Sequence, residues 1–483
     1  MEEGEVSASV ASDVAVWTPR LITDADQLLV SADPRRWVEF DASVRNSWWP
    51  PGRRSSQAAG ELLAGDQGPV DLLIAACHGS GYVREATVRQ LADRELPSVL
   101  PILALRAADW VRQVREPARA LCLRHLERAP STTCAVLAPV AFAVRDRQFG
   151  DWLATELEHR FRQSAPDVLA DGLRARDRRT RRVAHRIALA TGRLTVEEIV
   201  RVALTDDDIA IRRRCGETAI RQARGTADES VARRLLGSRT SAVRADALSE
   251  LAAAGHLEPS YSALADRSPI VRATAQTMVR RAGDDPAARY RALAAGGVEP
   301  SVVAGLGETG TSADVPVLRD CLGHHSARVR AEAVRALRRL GDTAADVLMP
   351  VLADPAPRVT RQVVRSLLAG SDALDTARLA ELAAPGGSRS VRMAATRLLG
   401  ASDVWLRVAG ALRLVGDPDP AMHRHGLTDL RTWLAEGAST AYSRPDQRTT
   451  DDLRALITQA EPMIGADTAR VIRFHAGITR PVR

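Results

Sequence analysis

The feature that most constrains this chain is an internal repeat. From Ala313 to Asp342 the sequence runs ADVPVLRDCLGHHSARVRAEAVRALRRLGD, and variants of that pattern recur along most of the chain. Its first half places Val315, Leu318 and Leu322 at helical spacing. Its second half places Val329, Ala333, Leu337 and Leu340 on one face, with Arg330, Arg335, Arg338 and Arg339 mostly off it. Gly341 ends the second helix. Two amphipathic helices this short cannot bury their apolar faces alone, so copies must stack and share a core. An elongated body follows, in place of the three domains that the length alone suggests.

A second signal sets the register. A β-branched residue, usually beside an arginine, opens the second helix of each pair. It occurs at Val83-Arg84, Val114-Arg115, Arg182-Val183, Ile211-Arg212, Val243-Arg244, Val271-Arg272, Val329-Arg330, Val359 with Arg361, and Val391-Arg392. The intervals fall near ~30 residues or twice that, one helix-turn-helix unit. Units without the marker fill the gaps around Gln148, Gly296 and Met422. The turns agree: Asp266 to Pro269, Asp354 to Pro357 and Asp417 to Pro420 place turn formers and helix-start prolines before second helices. Gly192, Gly225, Gly255, Gly283, Gly341, Gly370 and Gly400 fall where a left-handed residue would end one.

These residues resemble the HEAT-repeat family, especially the short bacterial HEAT-like repeats first named from phycobilisome lyases. Ser326 to Asp342, Arg267 to Asp284 and Thr240 to Gly255 carry the likeness most specifically, and it extends over roughly residues 68 to 435. The resemblance implies an all-α, α-solenoid fold (an armadillo-type superhelix) of roughly ten to twelve HEAT-like helix pairs with terminal capping helices. It implies binding in general and transfers no functional residue. The domain reading is a flexible N-terminal arm over 1–33, an N-terminal cap over 34–67, repeats over 68–435, a loop over 436–450 and C-terminal cap helices over 451–483.

Composition excludes several chemistries. The chain contains no lysine, so the net charge of +7 comes from arginine, and P-loop, Schiff-base and kinase-type chemistry all lack their amine. The same arginine-rich, lysine-poor usage is also what GC-biased coding produces. Cys77, Cys122, Cys134, Cys215 and Cys321 are an odd, scattered set without a C-x-x-C pair, expected to be reduced and mostly buried. The acidic N-terminus is unlike a secretory signal, and no run of ~18 apolar residues occurs, so the expectation is a cytoplasmic protein with no membrane segment.

Chemical motifs dissolve on inspection. Gly305-Leu-Gly307-Glu-Thr-Gly310 has the letters of a dinucleotide fingerprint but follows a helix where a strand is required. His125-Leu-Glu127 lacks the P-C-x-x-C partner of a zinc deaminase. His78, His324 and His325 read as exposed turn residues, and with Cys321 the latter two are short of a fourth metal ligand. His423 and His425 form a further pair. No cofactor, metal or catalytic residue is expected.

Two surfaces remain as candidates. Arg174, Arg176, Arg178, Arg179, Arg181, Arg182 and Arg186, followed by Arg212, Arg213 and Arg214, could line adjacent ridges as a phosphate track. Alternatively they are a solvated face in which turn aspartates pair with arginines, as Asp206 with Arg212 or Asp266 with Arg272. Trp37, Trp48 and Trp49 could close the open end of the stack or form an aromatic peptide site. The leading functional expectation is a non-catalytic scaffold or adaptor binding a protein partner along its second helices. The alternatives are a nucleic-acid binder using Arg174 to Arg224, which HEAT-like DNA glycosylases make conceivable by analogy, and a tetrapyrrole lyase or chaperone. The oligomeric state is open.

Overall fold

The computed structural model describes residues 17–478, apart from 32, 47–62, 64–66, 93, 95–97, 99, 164–165, 227 and 441. Among the described residues every regular element is helical and there is no strand. The chain divides into two compact units, Met1–Ala247 and Leu248–Arg483. From Pro69 to Thr432 the described helices form twelve successive pairs, at the upper end of the expected range.

The archetypal pair shows why the sequence folds this way. Ala327–Arg339 buries Val329, Ala333, Val334 and Leu337. It ends where the periodicity ends: Gly341 adopts φ +84°, its N–H donates to Arg338 O at 3.2 Å, and Asp342 N–H donates to Leu337 O at 2.9 Å. That pair of bonds is the Schellman closure, and only glycine takes the left-handed position without strain. Gly192, Gly255 and Gly283 share the positive φ. The other three expected stops differ: Ile209–Thr226 runs through Gly225, Gly400 lies inside Arg389–Ser402, and Gly370 sits in a short 3-10 segment with φ −119°. At Gly400 the glycine provides room, since a Cβ would meet Arg407 Cβ at 3.1 Å.

A recurrent arginine device holds the second helices to their turns. Within unit 1, Nη1 of Arg84, Arg115, Arg181, Arg212 and Arg244 donates to the carbonyl six residues earlier. Within unit 2, Arg272 and Arg330 do the same. The remaining donors of several reach the carboxylate in the next turn: Arg84 grips Asp109 at 2.9 and 3.0 Å, Arg330 grips Asp354 at 2.6 and 3.0 Å, and Arg392 pairs with Asp417. This corrects the expected pairing. Asp206 gives its backbone carbonyl to Arg212, while its carboxylate takes Arg181 of the preceding pair at 3.4 Å. The marker also shifts in one unit, where Thr180-Arg181 holds the position read as Arg182-Val183. Asp109, Asp354 and Asp417 also accept the N–H two residues on, and the Nδ1 atoms of His78 and His324 accept the same bond. His78 is therefore buried and structural, not exposed.

The N-terminal arm is also corrected. From Trp17 onward it is ordered: Trp17 is buried, its Nε1–H donates to Asp71 at 3.1 Å, and Pro19–Leu29 packs on Pro69–Ala76. Residues 1–16 lie outside the described residues. Pro34–Asn46 packs on Leu100–Arg106 and Pro130–Ala143. Its Asp41 joins a buried charge cluster with Arg106, Arg45 and Arg147, and Arg106 also approaches Asp109 at 3.5 Å.

Candidate functional site

The sequence-predicted basic track is largely neutralised. Arg174 pairs with Asp171, Arg181 with Asp206, Arg182 with Asp208, Arg186 with Glu158 and Arg213 with Glu217, at 2.6 to 3.4 Å. Arg212 donates to Thr240 Oγ1 and the Asp206 carbonyl. Arg176, Arg178, Arg179 and Arg214 meet no carboxylate among the described residues. Turn aspartates supply two of these partners, Asp206 and Asp208, which stacking delivers to arginines of the preceding pair, while Glu158 comes from the helix Asp151–Gln163 and Asp171 and Glu217 from the arginine's own helix. Of the aromatic set, Trp37 is 2% exposed and donates to Ser31 O at 3.1 Å, which makes it core. Trp48 and Trp49 lie outside the described residues.

The glycine fingerprint has a packing explanation. Gly305 and Gly307 lie within the helix Pro300–Thr309, where a Cβ would stand 2.1 Å from the Tyr290 ring and 2.4 Å from Ala336 Cβ. They let helices approach and bind no phosphate. His324 and His325 stack with ring centroids 4.1 Å apart. Cys321 beside them is buried, and burial, helped by Asp320, pushes its thiol up. Among the described residues no group of three or more His, Cys, Asp or Glu side chains is placed to hold a metal. Burial likewise pushes the thiols of Cys122, Cys134 and Cys215 up to about 12.

A different surface emerges in unit 2. A hollow of about 640 Å³ opens between Pro357–Leu367 and Arg389–Ser402 and reaches Arg407, His425 and Asp429. Its floor is apolar, with Val364, Leu368, Met393 and Ala394, and its rim carries Arg361, Arg365 and Arg397. A second hollow, about 450 Å³, lies between Ala327–Arg339 and Pro357–Leu367 and shares Arg361 and Arg365 with the first. Together they form a groove across the second helices.

Charge in this groove is not balanced. Arg407 is held by Asp429 at 2.5 Å and Arg335 by Glu332 at 3.2 Å. Arg328, Arg358, Arg361, Arg365 and Arg397 meet no carboxylate among the described residues, and neither does Arg338, which lies on Ala327–Arg339 outside the lining. The guanidinium of Arg338 is pushed down by burial and by its neighbours Arg335, Arg365 and Arg339. The arginine device lapses at this place too, because Thr360 occupies the position six residues after Asp354. A signal was available: PRVTRQVVRSL and RSVRMAATRLLGAS each carry three arginines and no acid.

Residues 283–369 match the family model for HEAT repeats. Over that span the chain is HEAT-repeat sequence. Its match covers the second of the two hollows together with the helices that build it. Solved structures of similar fold include Kap95p, from work on its binding of RanGDP, at 8% identity and TM-score 0.35, covering 95% of this chain and 66% of that one. Kap121p bound to Ste12p gives 12% and 0.36, covering 89% and 53%. The karyopherin Kap121p bound to the C-terminus of the phosphatase Cdc14p gives 11% and 0.32, covering 87% and 54%. The chain thus spans between half and two thirds of those chains. No curated protein matches its sequence. Among the described residues no helix is long and apolar enough to cross a membrane.

Proposed function

We propose that this HEAT-repeat protein is a non-catalytic scaffold that receives a segment of a protein partner in the second-helix groove of unit 2. The observation that carries this reading is the groove itself: an apolar floor with a rim of arginines, Arg361, Arg365 and Arg397, that meet no carboxylate among the described residues. Buried apolar contact supplies affinity, and rim charge supplies selectivity and encounter rate. A phosphate track over Arg174 to Arg224 is the weaker reading, since six of those ten arginines already have internal partners. Five free, buried cysteines suit a reducing compartment, and we place the protein in the cytoplasm.

Site-specific photo-crosslinking tests the reading. A photoreactive residue at Met393, in the groove, should capture a defined protein from the native cell. The same residue at Val317, exposed on the first helix Val315–Asp320, should not. Equal capture at both positions, or none at Met393, overturns the proposal.

A further inference from the structure

Resting on the scaffold reading, we infer that the segment received is an extended acidic peptide, laid across Ala327–Arg339, Pro357–Leu367 and Arg389–Ser402. Two independent observations point to it.

The first is charge. Arg361 and Arg365 stand on the ridge shared by both hollows, and Arg397 stands on the far wall of the larger one. Neither Pro357–Leu367 nor Arg389–Ser402 contains an acid. A guanidinium presents planar paired donors that match a carboxylate, so three of them along a groove select a chain with carboxylates in sequence.

The second is a pair of buried acceptors. Gln362 is 7% exposed, and its Oε1 has no hydrogen-bond partner among the described residues. Glu332 Oε2 is likewise buried and unpartnered, although the other oxygen of the same carboxylate is ion-paired with Arg335 at 3.2 Å. Both residues line the smaller hollow, directly beside Arg361 and Arg365. A buried acceptor left unpaired is costly, so this place calls for an N–H or O–H. A peptide backbone brings one N–H per residue and an acidic peptide brings carboxylates on the same chain. A phosphodiester backbone brings anionic acceptors and no donor, so it would answer the arginines and leave Gln362 and Glu332 unpaired. The apolar floor at Val364, Leu368 and Met393 adds room for an aliphatic side chain between the carboxylates.

The test is fluorescence anisotropy on the full chain at physiological salt. Three helix rows ~10 Å apart are spanned by about seven extended residues, so a labelled peptide of about twelve, alternating Glu with Leu or Ala, suffices as probe. Controls are the same peptide with Arg for Glu and a single-stranded DNA of equal charge. The acidic peptide should bind and the basic one should not. The variant R361A/R365A/R397A should weaken the acidic peptide by at least about ten-fold, the loss expected for charge-assisted bonds. Gln362→Leu keeps the side-chain volume and should weaken the peptide about three-fold or more while leaving DNA unchanged. DNA bound as tightly as the peptide and indifferent to Gln362→Leu overturns the inference in favour of a polyanion site. So does a failure of the acidic peptide to bind. If crosslinking at Met393 still captures a partner, the scaffold reading survives that failure; if it does not, both fall.

Discussion

The two units use the same arginine-to-turn device and dispose of charge in opposite ways. In unit 1 the charges are turned inward: Arg84 and Arg106 are 0% exposed and Asp41 and Asp109 2%, and together they fasten Pro34–Asn46 onto the first repeats. In unit 2 the device lapses at Thr360, and Arg361, Arg365 and Arg397 line an open groove where they meet no carboxylate among the described residues. One repeat chemistry therefore makes a staple where an aspartate is delivered to each arginine, and a row of uncompensated arginines where none is. Paired and uncompensated arginines lie at different places in one architecture.

The largest effect should come from breaking the staple. Arg106→Ala leaves Asp41 and Asp109 without the fully buried cation they share, with Arg45 bridging them only from a partly exposed position, which costs ~3–5 kcal/mol. Arg330→Ala removes from unit 2 the arginine that grips its turn as Arg84 does in unit 1; its side chain is 15% exposed, and the loss should cost only ~1–2 kcal/mol. Hydrogen exchange over 34–46 and over 327–339 separates the two effects, which a single unfolding midpoint in a repeat array would blend. Equal losses at both sites would dissolve the contrast.

Next in size is the repeat core of unit 2. Leu337 is fully buried with Val302, Val303 and Leu306 of the preceding second helix. Leu337→Ala should cost ~2–5 kcal/mol and loosen Pro300–Thr309 along with its own helix. Protection lost in Ala327–Arg339 alone would show that adjacent pairs are not sharing this core.

Most of the fold was legible because helical periodicity, turn residues and the β-branched-arginine marker all repeat in the sequence. The chemistry of the marker was not. Arg84 meets Asp109 across 25 residues and Arg330 meets Asp354 across 24, a separation set by how pairs stack and not by any one turn. Hence Asp206 was matched to the arginine six residues on, when Arg181 behind it takes the carboxylate. The contact of Arg106 with Asp41, 65 residues apart, has no local pattern at all. At the site, density of arginine drew attention to Arg174–Arg186, whereas the distinguishing quantity is arginine left without acid. That quantity could be read from the acid-free helices Pro357–Leu367 and Arg389–Ser402, once the turns were known to supply the missing carboxylates elsewhere.

A smaller effect tests the staple through pH. Burial pushes the Asp41 carboxyl up, but Arg106, Arg45 and Arg147 outweigh it and hold the group at about 2. The ordinary carboxylate value in the unfolded chain is about 3.9. A group depressed on folding contributes stability that is complete above the unfolded value and is lost as pH falls through the folded one. Asp41 should therefore contribute about 2 kcal/mol above pH ~4 and surrender it between about 4 and 2. Asp41→Asn should be less stable than the parent at neutral pH, with the gap closing in that acid window. A gap independent of pH would mean that packing, not charge, holds the cap.

The smallest expected change is the most informative about the groove. Arg361 and Arg365 are exposed, have no carboxylate among the described residues, and sit in an array where Arg338 already has Arg335, Arg339 and Arg365 as neighbours. Removing one charge from such an array relieves repulsion and sacrifices little packing, since the guanidinium ends lie at the rim. Arg365→Gln and Arg361→Gln should each leave unfolding within about 0.5 kcal/mol of the parent, with any shift toward greater stability and larger at low salt. The equivalent surface arginine of unit 1, Arg182, is bound to Asp208 at 2.9 Å, so Arg182→Gln should shift stability the other way by a similar amount. The opposite signs are the point: arginines without a carboxylate weigh against the fold, and arginines paired within it do not. Destabilisation by more than about 1 kcal/mol at Arg361 or Arg365 would make those side chains structural and close the case for the groove.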